Sequence, residues 1–274
     1  MIMPLGLLAQ ALPKEGSKLN YRIVGFSFPK KVQTTKCELQ IAEGYYNNID
    51  SFEEKIILRK QTDKNKVIAE VPFLGKQYTW RLAYTDSKPG AGKTTLRHFS
   101  TLEIPNIDTG HMRLRILQNA KTYKDAYVFL DGNRALYDMK GNAVWFLPDN
   151  AEGFQNTRKE LRDMKISPQG TITFLLGKQI YEVSYDGSIL WMGPDNGIIS
   201  GGLSEDYHHE LTRLSNGNYM VLGNENTYLD LSAVKENKLV LKNEKEFATD
   251  SNKVNFTKGV TTTIIEYDSK GNVV

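Results

Sequence analysis

The sequence predicts an all-β protein of two domains: a small β-sandwich at residues 18–104 and an incomplete β-propeller at residues 110–274, after a leading segment of residues 1–17. Three observations predict it. Apolar and polar residues alternate almost throughout, the period of half-buried strands. Up to about Glu103 these runs are short and closely spaced, as in a sandwich. Beyond that point two phrases recur in alternation at a fixed interval, the mark of a repeat architecture.

The expected sandwich strands are Tyr21–Phe26, Lys36–Ala42, Lys55–Lys60, Lys66–Pro72, Tyr78–Thr85 and Thr94–Leu102, each bounded by turn-forming residues. Ile104-Pro105-Asn106 reads as the linker. One stretch departs from the alternation. Near Asn156 to Met164, with Asn156 or Thr157 as cap, the spacing predicts a turn or two of helix.

The first recurring phrase is Leu136-Tyr137-Asp138-Met139-Lys140-Gly141-Asn142-Ala143-Val144-Trp145. It returns as Ser184-Tyr185-Asp186-Gly187-Ser188-Ile189-Leu190-Trp191 and as Glu266-Tyr267-Asp268-Ser269-Lys270-Gly271-Asn272-Val273-Val274. The second is Ser167-Pro168-Gln169-Gly170-Thr171-Ile172-Thr173-Phe174-Leu175, matched by Ser215-Asn216-Gly217-Asn218-Tyr219-Met220-Val221-Leu222. Each is a turn with Gly where φ must be positive, flanked by alternating strands, and so a hairpin. Gly141 and Gly187 lie 46 residues apart, Gly170 and Gly217 47. Two hairpins in that interval make a four-stranded propeller blade. Blades are expected at about 111–147, 160–193 and 205–274, the third stretched by a Lys/Glu/Asn-rich insertion at 224–259 placed in a surface loop. Because closed propellers have at least ~4 blades, the sequence is expected to continue past Val274.

Composition narrows the function. Thirty-five Lys and Arg against 32 Asp and Glu leave a net charge of +3 with no basic block, which argues against nucleic-acid binding. No segment approaches the ~18 apolar residues of a membrane helix. Met1 to Pro13 makes a poor signal peptide, lacking a basic start. Cys37 is alone, which excludes an internal disulfide, and it shares a strand face with Leu39 and Ile41, so a buried thiol is expected. Pro89-Gly90-Ala91-Gly92-Lys93-Thr94-Thr95 imitates a nucleotide-binding loop, but Ser87 stands where its first glycine belongs and a strand follows, so no nucleotide is expected.

Of four histidines, His98 and His111 read as packed or surface residues. His208 and His209 differ. They open the first strand of a blade, in Tyr207-His208-His209-Glu210-Leu211, where a propeller strand lines the central channel near its mouth. Successive strand residues face opposite ways, so one of the pair is expected to face the channel. The same alternation argues against a shared metal ion and against a metal-dependent hydrolase; neither metal nor cofactor is expected.

The His-His-acid strand followed by Leu214-Ser215-Asn216-Gly217-Asn218-Tyr219-Met220-Val221-Leu222 resembles the bacterial arylsulfotransferases. So do the Tyr-Asp-x-x-Gly-x-Val-Trp hairpins and the fibronectin type III-like strand Gln77–Tyr84. The resemblance implies a fibronectin-like sandwich before a propeller of about six blades, of which about three lie in this sequence. It implies a periplasmic or membrane-anchored enzyme, often dimeric, that moves a sulfuryl group between phenols without a nucleotide donor. In that chemistry an imidazole nitrogen attacks sulfur, a phenolate leaves and takes a proton, and cationic or hydrogen-bonding groups hold the sulfuryl oxygens. The resemblance gives His209, with His208 as the other candidate, the task of holding oxygens or donating the proton. Tyr207 and Glu210 are expected to orient them and contact substrate. No histidine follows His209, so the nucleophilic histidine and the arginine are expected outside these residues and the fragment alone is expected to be inactive. The competing reading is a non-catalytic propeller that binds a glycan or protein partner.

Overall fold

The structure, a computed structural model, describes residues 11–28, 36–84, 95–104, 114–118, 121–150, 153–154, 158–236, 238–250 and 255–274. Its contacts divide the chain into two units, residues 1–128 with 135–148, and residues 129–134 with 149–274. The protein is all-β: among the described residues the strands form five sheets, none closed, and the three α-helices are one or two turns long.

In the first unit β1 (Ser17–Leu19), β3 (Cys37–Glu43), β4 (Ile56–Thr62), β6 (Gln77–Tyr84) and β7 (Arg97–Thr101) form a sheet in the order β1-β7-β6-β3-β4. β2 (Ile23–Ser27) and β5 (Lys66–Glu70) form a second. Alternate residues of both sheets meet in one core: Phe26 lies edge-on to Trp80 at 5.1 Å and to Phe99 at 5.9 Å between ring centres. Such aromatic pairs add about 0.5–1.5 kcal/mol each beyond the area they bury. Cys37 is buried on the same core face as Leu39 and Ile41, as its alternation predicts. The decoy loop from Pro89 to Thr94, the linker residues Pro105 and Asn106, His111 and the start of the leading segment lie outside the described residues.

β9 (Ala135–Asp138) and β10 (Ala143–Phe146) pair as the first repeat hairpin, beside β8 (Tyr127–Leu130). The edge of β10 is covered from within the first unit: Phe146 donates its amide to Asn20 O at 3.1 Å, and Arg22 donates its amide to Val144 O at 2.9 Å. An uncovered edge would leave these groups open to another strand.

The second unit holds a four-stranded meander, β11 (Leu161–Ile166), β12 (Ile172–Leu176), β13 (Gln179–Val183) and β14 (Ile189–Met192), in that order. A second sheet follows from β15 (Tyr207–Arg213), β16 (Tyr219–Asp230), β17 (Leu241–Asn243) and β18 (Phe256–Tyr267). Leu175, Ile180 and Trp191 of the first sheet pack with Tyr207, Leu211, Tyr219, Val221, Ile265 and Tyr267 of the second. Trp191 stacks on Tyr219 at 3.6 Å, and the Arg213 guanidinium lies 4.1 Å above the same ring.

Five hairpin turns share one geometry. In each, an amide bonds the carbonyl four residues on, and a glycine three residues on bonds back: Asp138/Gly141, Ser167/Gly170, Ser184/Gly187, Leu214/Gly217 and Asp268/Gly271. The glycines have φ between 79° and 92°, where a side chain is strained. These bonds shift one repeat by two residues: Ser184, not Asp186, stands where Asp138 stands, and Val183 where Tyr137 does. Asp186 supplies the turn's acceptor from two places further along, taking the Ser188 amide at 3.1 Å.

Two expectations are corrected. Leu161–Ile166 is a strand, not a helical turn; Asn156 and Thr157 lie outside the described residues. A bulge at Asp163, with φ 58°, buries both Leu161 and Met164, so an interrupted strand imitates the i, i+3 spacing of a helix. The insertion is likewise no simple loop. β16 and β18 stay paired over twelve residue pairs, from Tyr219 opposite Tyr267 to Asp230 opposite Phe256. Only beyond that ribbon do α2 (Leu231–Lys235), β17 and α3 (Glu244–Thr249) fold back on it.

Candidate functional site

β15 starts as a regular strand, with Tyr207 opposite Gly223 and His208 opposite Leu222 on β16. The next pair is Leu211 opposite Val221, so His209 and Glu210 have no partner. His209 takes a left-handed backbone, φ 60°, uncommon for a residue with a side chain. Tyr207 and Leu211, four apart, are both buried in the core; His208 between them is half-buried, and the unpaired His209 and Glu210 are exposed.

This changes the histidine geometry. Strict alternation separates the two imidazoles; the bulge brings them together. His208 Nδ1 and His209 Nδ1 are 2.8 Å apart, with rings 4.9 Å between centres and near perpendicular. Alternation would set the two rings apart, but it holds only where each residue has a partner in the ladder. The contact needs one proton between the two nitrogens, so one ring donates and the other accepts. Their Nε2 atoms differ: that of His208 is buried without a hydrogen-bond partner, while His209 is exposed.

Tyr207, expected to orient the histidines and contact substrate, lies in the core instead. It is 1% exposed, donates its hydroxyl to Pro194 O at 2.7 Å and meets Tyr267 Oη at 3.0 Å. Burial pushes this phenol far above its ordinary range. Glu210 is turned to Lys165, whose ammonium lies 2.5 Å from Oε1, and accepts from Thr212 Oγ1 at 2.9 Å. The Lys165 contact is the main reason that Glu210 ionises below the usual carboxylate range.

Sequence reasoning missed the other half of this cluster. Asp163 Oδ2 accepts the Leu211 amide at 2.7 Å and lies 3.0 Å from Lys165 Nζ. Burial raises its pKa against the pull of those two donors. Asp131 in turn accepts the amides of Asp163 at 2.7 Å and Met164 at 3.2 Å, closing the first bulge. A signal was present: Asp163 precedes His209 by 46 residues, one repeat. Among the described residues no three His, Cys, Asp or Glu side chains gather as a metal ion would require.

The sequence matches the profile of a family described as Arylsulfotransferase (ASST) over residues 108–247, just over half of the chain. The chain belongs to the arylsulfotransferase family. No curated protein matches the sequence. The matched span contains the histidine pair, Asp163, Lys165 and Glu210, all within the second unit.

Proposed function

We propose that the protein serves aryl-sulfate sulfotransfer: a sulfuryl group passes from a phenolic sulfate to a phenol, through a sulfohistidine, with His209 and His208 at the reacting centre. The observation that carries this reading is the Nδ1 contact between the two rings, within a family match that spans them. A neutral His209 that donates through Nδ1 has a lone pair at Nε2; when protonated there, the same atom is a donor. It is thus suited to hold a sulfuryl oxygen or to return a proton to the departing phenolate. His208 fixes the orientation of that ring. The nucleophile that carries the sulfuryl group is left to a histidine outside this pair. Lys165 adds positive charge nearby, although Asp163 and Glu210 already hold it.

The same reading assigns the architecture. The two core-sharing sheets of the first unit are a fibronectin type III-like sandwich, and the meanders of the second are consecutive propeller blades. In support, the β11–β14 sheet runs strand to neighbouring strand, and the turns of both sheets share one geometry. On this reading the protein works in the periplasm, on phenols and their sulfates, and needs no nucleotide.

The test follows 4-nitrophenol release from 4-nitrophenyl sulfate with a phenol acceptor, by a full-length relative that carries this histidine hairpin and by its variants with the His209→Ala or the His208→Ala change. His209→Ala should slow transfer by about 10²–10⁴, the range of a positioned acid–base or oxyanion group. His208→Ala should cost less. Equal turnover in all three would sink the assignment, and sulfate-ester binding without turnover would favour a binding module.

A further inference from the structure

Leu211 is the first residue of β15 to rejoin the ladder after the bulge, opposite Val221. Its amide is taken by Asp163 Oδ2 on the neighbouring sheet, at 2.7 Å. A strand amide with no acceptor is costly to bury, so a β15 deprived of this carboxylate is driven to slip and recover a partner on β16. Slipping removes the two unpaired residues, and with them the left-handed turn at His209 that lets the imidazoles converge.

We propose that Asp163 is a positioning residue for the His208–His209 pair: by accepting the Leu211 amide from the preceding repeat, its carboxylate holds open the bulge on which both imidazoles converge. The proposal deepens the sulfotransfer reading and rests on it for its functional meaning, though its structural content stands apart. Three observations support it. Asp163 is itself held, with its backbone amide on Asp131 Oδ2 at 2.7 Å and Lys165 Nζ at 3.0 Å from its carboxylate. It sits at φ 58°, nearly the value of His209 one repeat later, so the two bulges form a series in which one braces the next. The second displaced residue, Glu210, is tied separately by Lys165. The brace on the amide and the brace on the side chain can therefore be removed one at a time.

The experiment uses the whole chain labelled with ¹⁵N in its histidine rings, of which there are four. A hydrogen bond between two ring nitrogens gives an N–N coupling across the shared proton, read directly by NMR. The unaltered protein should show it for His208 and His209. Asp163→Ala should abolish it, while the amide spectrum elsewhere stays dispersed. Asp163→Asn, which keeps an acceptor oxygen in place, should retain it, as should Lys165→Met, which removes the ammonium from both Glu210 and Asp163 but leaves the Asp163 carboxylate on the Leu211 amide. Survival of the coupling in folded Asp163→Ala, its loss in folded Asp163→Asn, or its absence from the unaltered protein each overturns the proposal. If Asp163→Ala does not fold, Asp163→Asn decides alone.

Turnover of 4-nitrophenyl sulfate by a full-length relative that carries the same hairpin and the same changes separates the two claims. Loss of coupling in Asp163→Ala together with a fall of about 10–100-fold, the scale of an ångström misplacement, supports both. Loss of coupling with turnover unchanged upholds the positioning role and removes the sulfotransfer reading of the pair.

Discussion

The first strands of two successive sheets carry the same irregularity and use it differently. In β11 the bulge adds one residue: Arg162 faces Leu175 and Lys165 faces Thr173, and both amides exposed by the kink are taken by Asp131. In β15 it adds two, His209 and Glu210, and a single carboxylate from β11, the first strand of the preceding sheet, closes it. One extra residue exchanges the inward and outward faces of the rest of the strand. Two restore the original faces and leave side chains displaced outward from the core. The contrast separates a bulge whose amides are both capped from one that displaces two side chains.

Substitutions at the two bulges should respond in a matching order. The largest effect is expected for Asp131→Ala, which strands two amides bonded to a charged acceptor; the second unit should lose about 2–3 kcal/mol in urea unfolding. A loss below about 0.5 kcal/mol would mean that water replaces the carboxylate and the β11 bulge needs no cap. Glycine at the bulge residue itself then discriminates the two sites. Asp163→Gly relieves a left-handed backbone but removes the cap on Leu211, and should destabilise by about 1–2 kcal/mol. His209→Gly relieves the same strain and breaks only an exposed contact, so it should stabilise by about 0.5–1 kcal/mol even as transfer falls. Effects of the same sign would show that both bulges are structural.

The smallest effect is on pH dependence. Glu210 ionises below its ordinary 4.5, so its share of stability is complete above that value and lost as pH falls through its lower folded pKa. Asp163 has the opposite sign: raised above its ordinary 3.8, it favours the fold most below that value and loses that share as pH rises through its folded pKa. Glu210→Gln should therefore flatten the acid limb of a urea-midpoint profile below pH 4.5. A variant that keeps the full acid limb would show that Lys165 does little for Glu210.

The turns were legible because glycine is nearly obligatory at positive φ: Gly141, Gly170, Gly187, Gly217 and Gly271 mark all five of them in the sequence. Even there the Tyr185-Asp186 pair misled by two residues, since the side-chain acceptor can stand at either of two places in the same turn. The bulges were not legible. A bulge is set by where backbone amides find acceptors, and the acceptors Asp131 and Asp163 come from elements distant in sequence. Its trace in the pattern of apolar residues is ambiguous: Leu161 and Met164 read as a helical pair. The histidines were found by residue type and position, while their convergence was missed because alternation assumes an unbroken ladder.

The ribbon of β16 and β18 has a consequence for how this protein tolerates change. Its register runs unbroken through twelve pairs, and the core is touched by its proximal end, Tyr219, Val221, Ile265 and Tyr267. The described elements between Asp230 and Phe256 thus hang on a stem that can be cut at any rung beyond Gly223, the last to pair with β15. Shortening the stem pair by pair from its tip leaves the remaining rungs in step, and loop closure changes by only about 0.6 kcal/mol for each doubling of loop length. The outer rungs are a natural place for relatives to differ in length, and for a tag or a second domain to be grafted, with the histidine strand undisturbed.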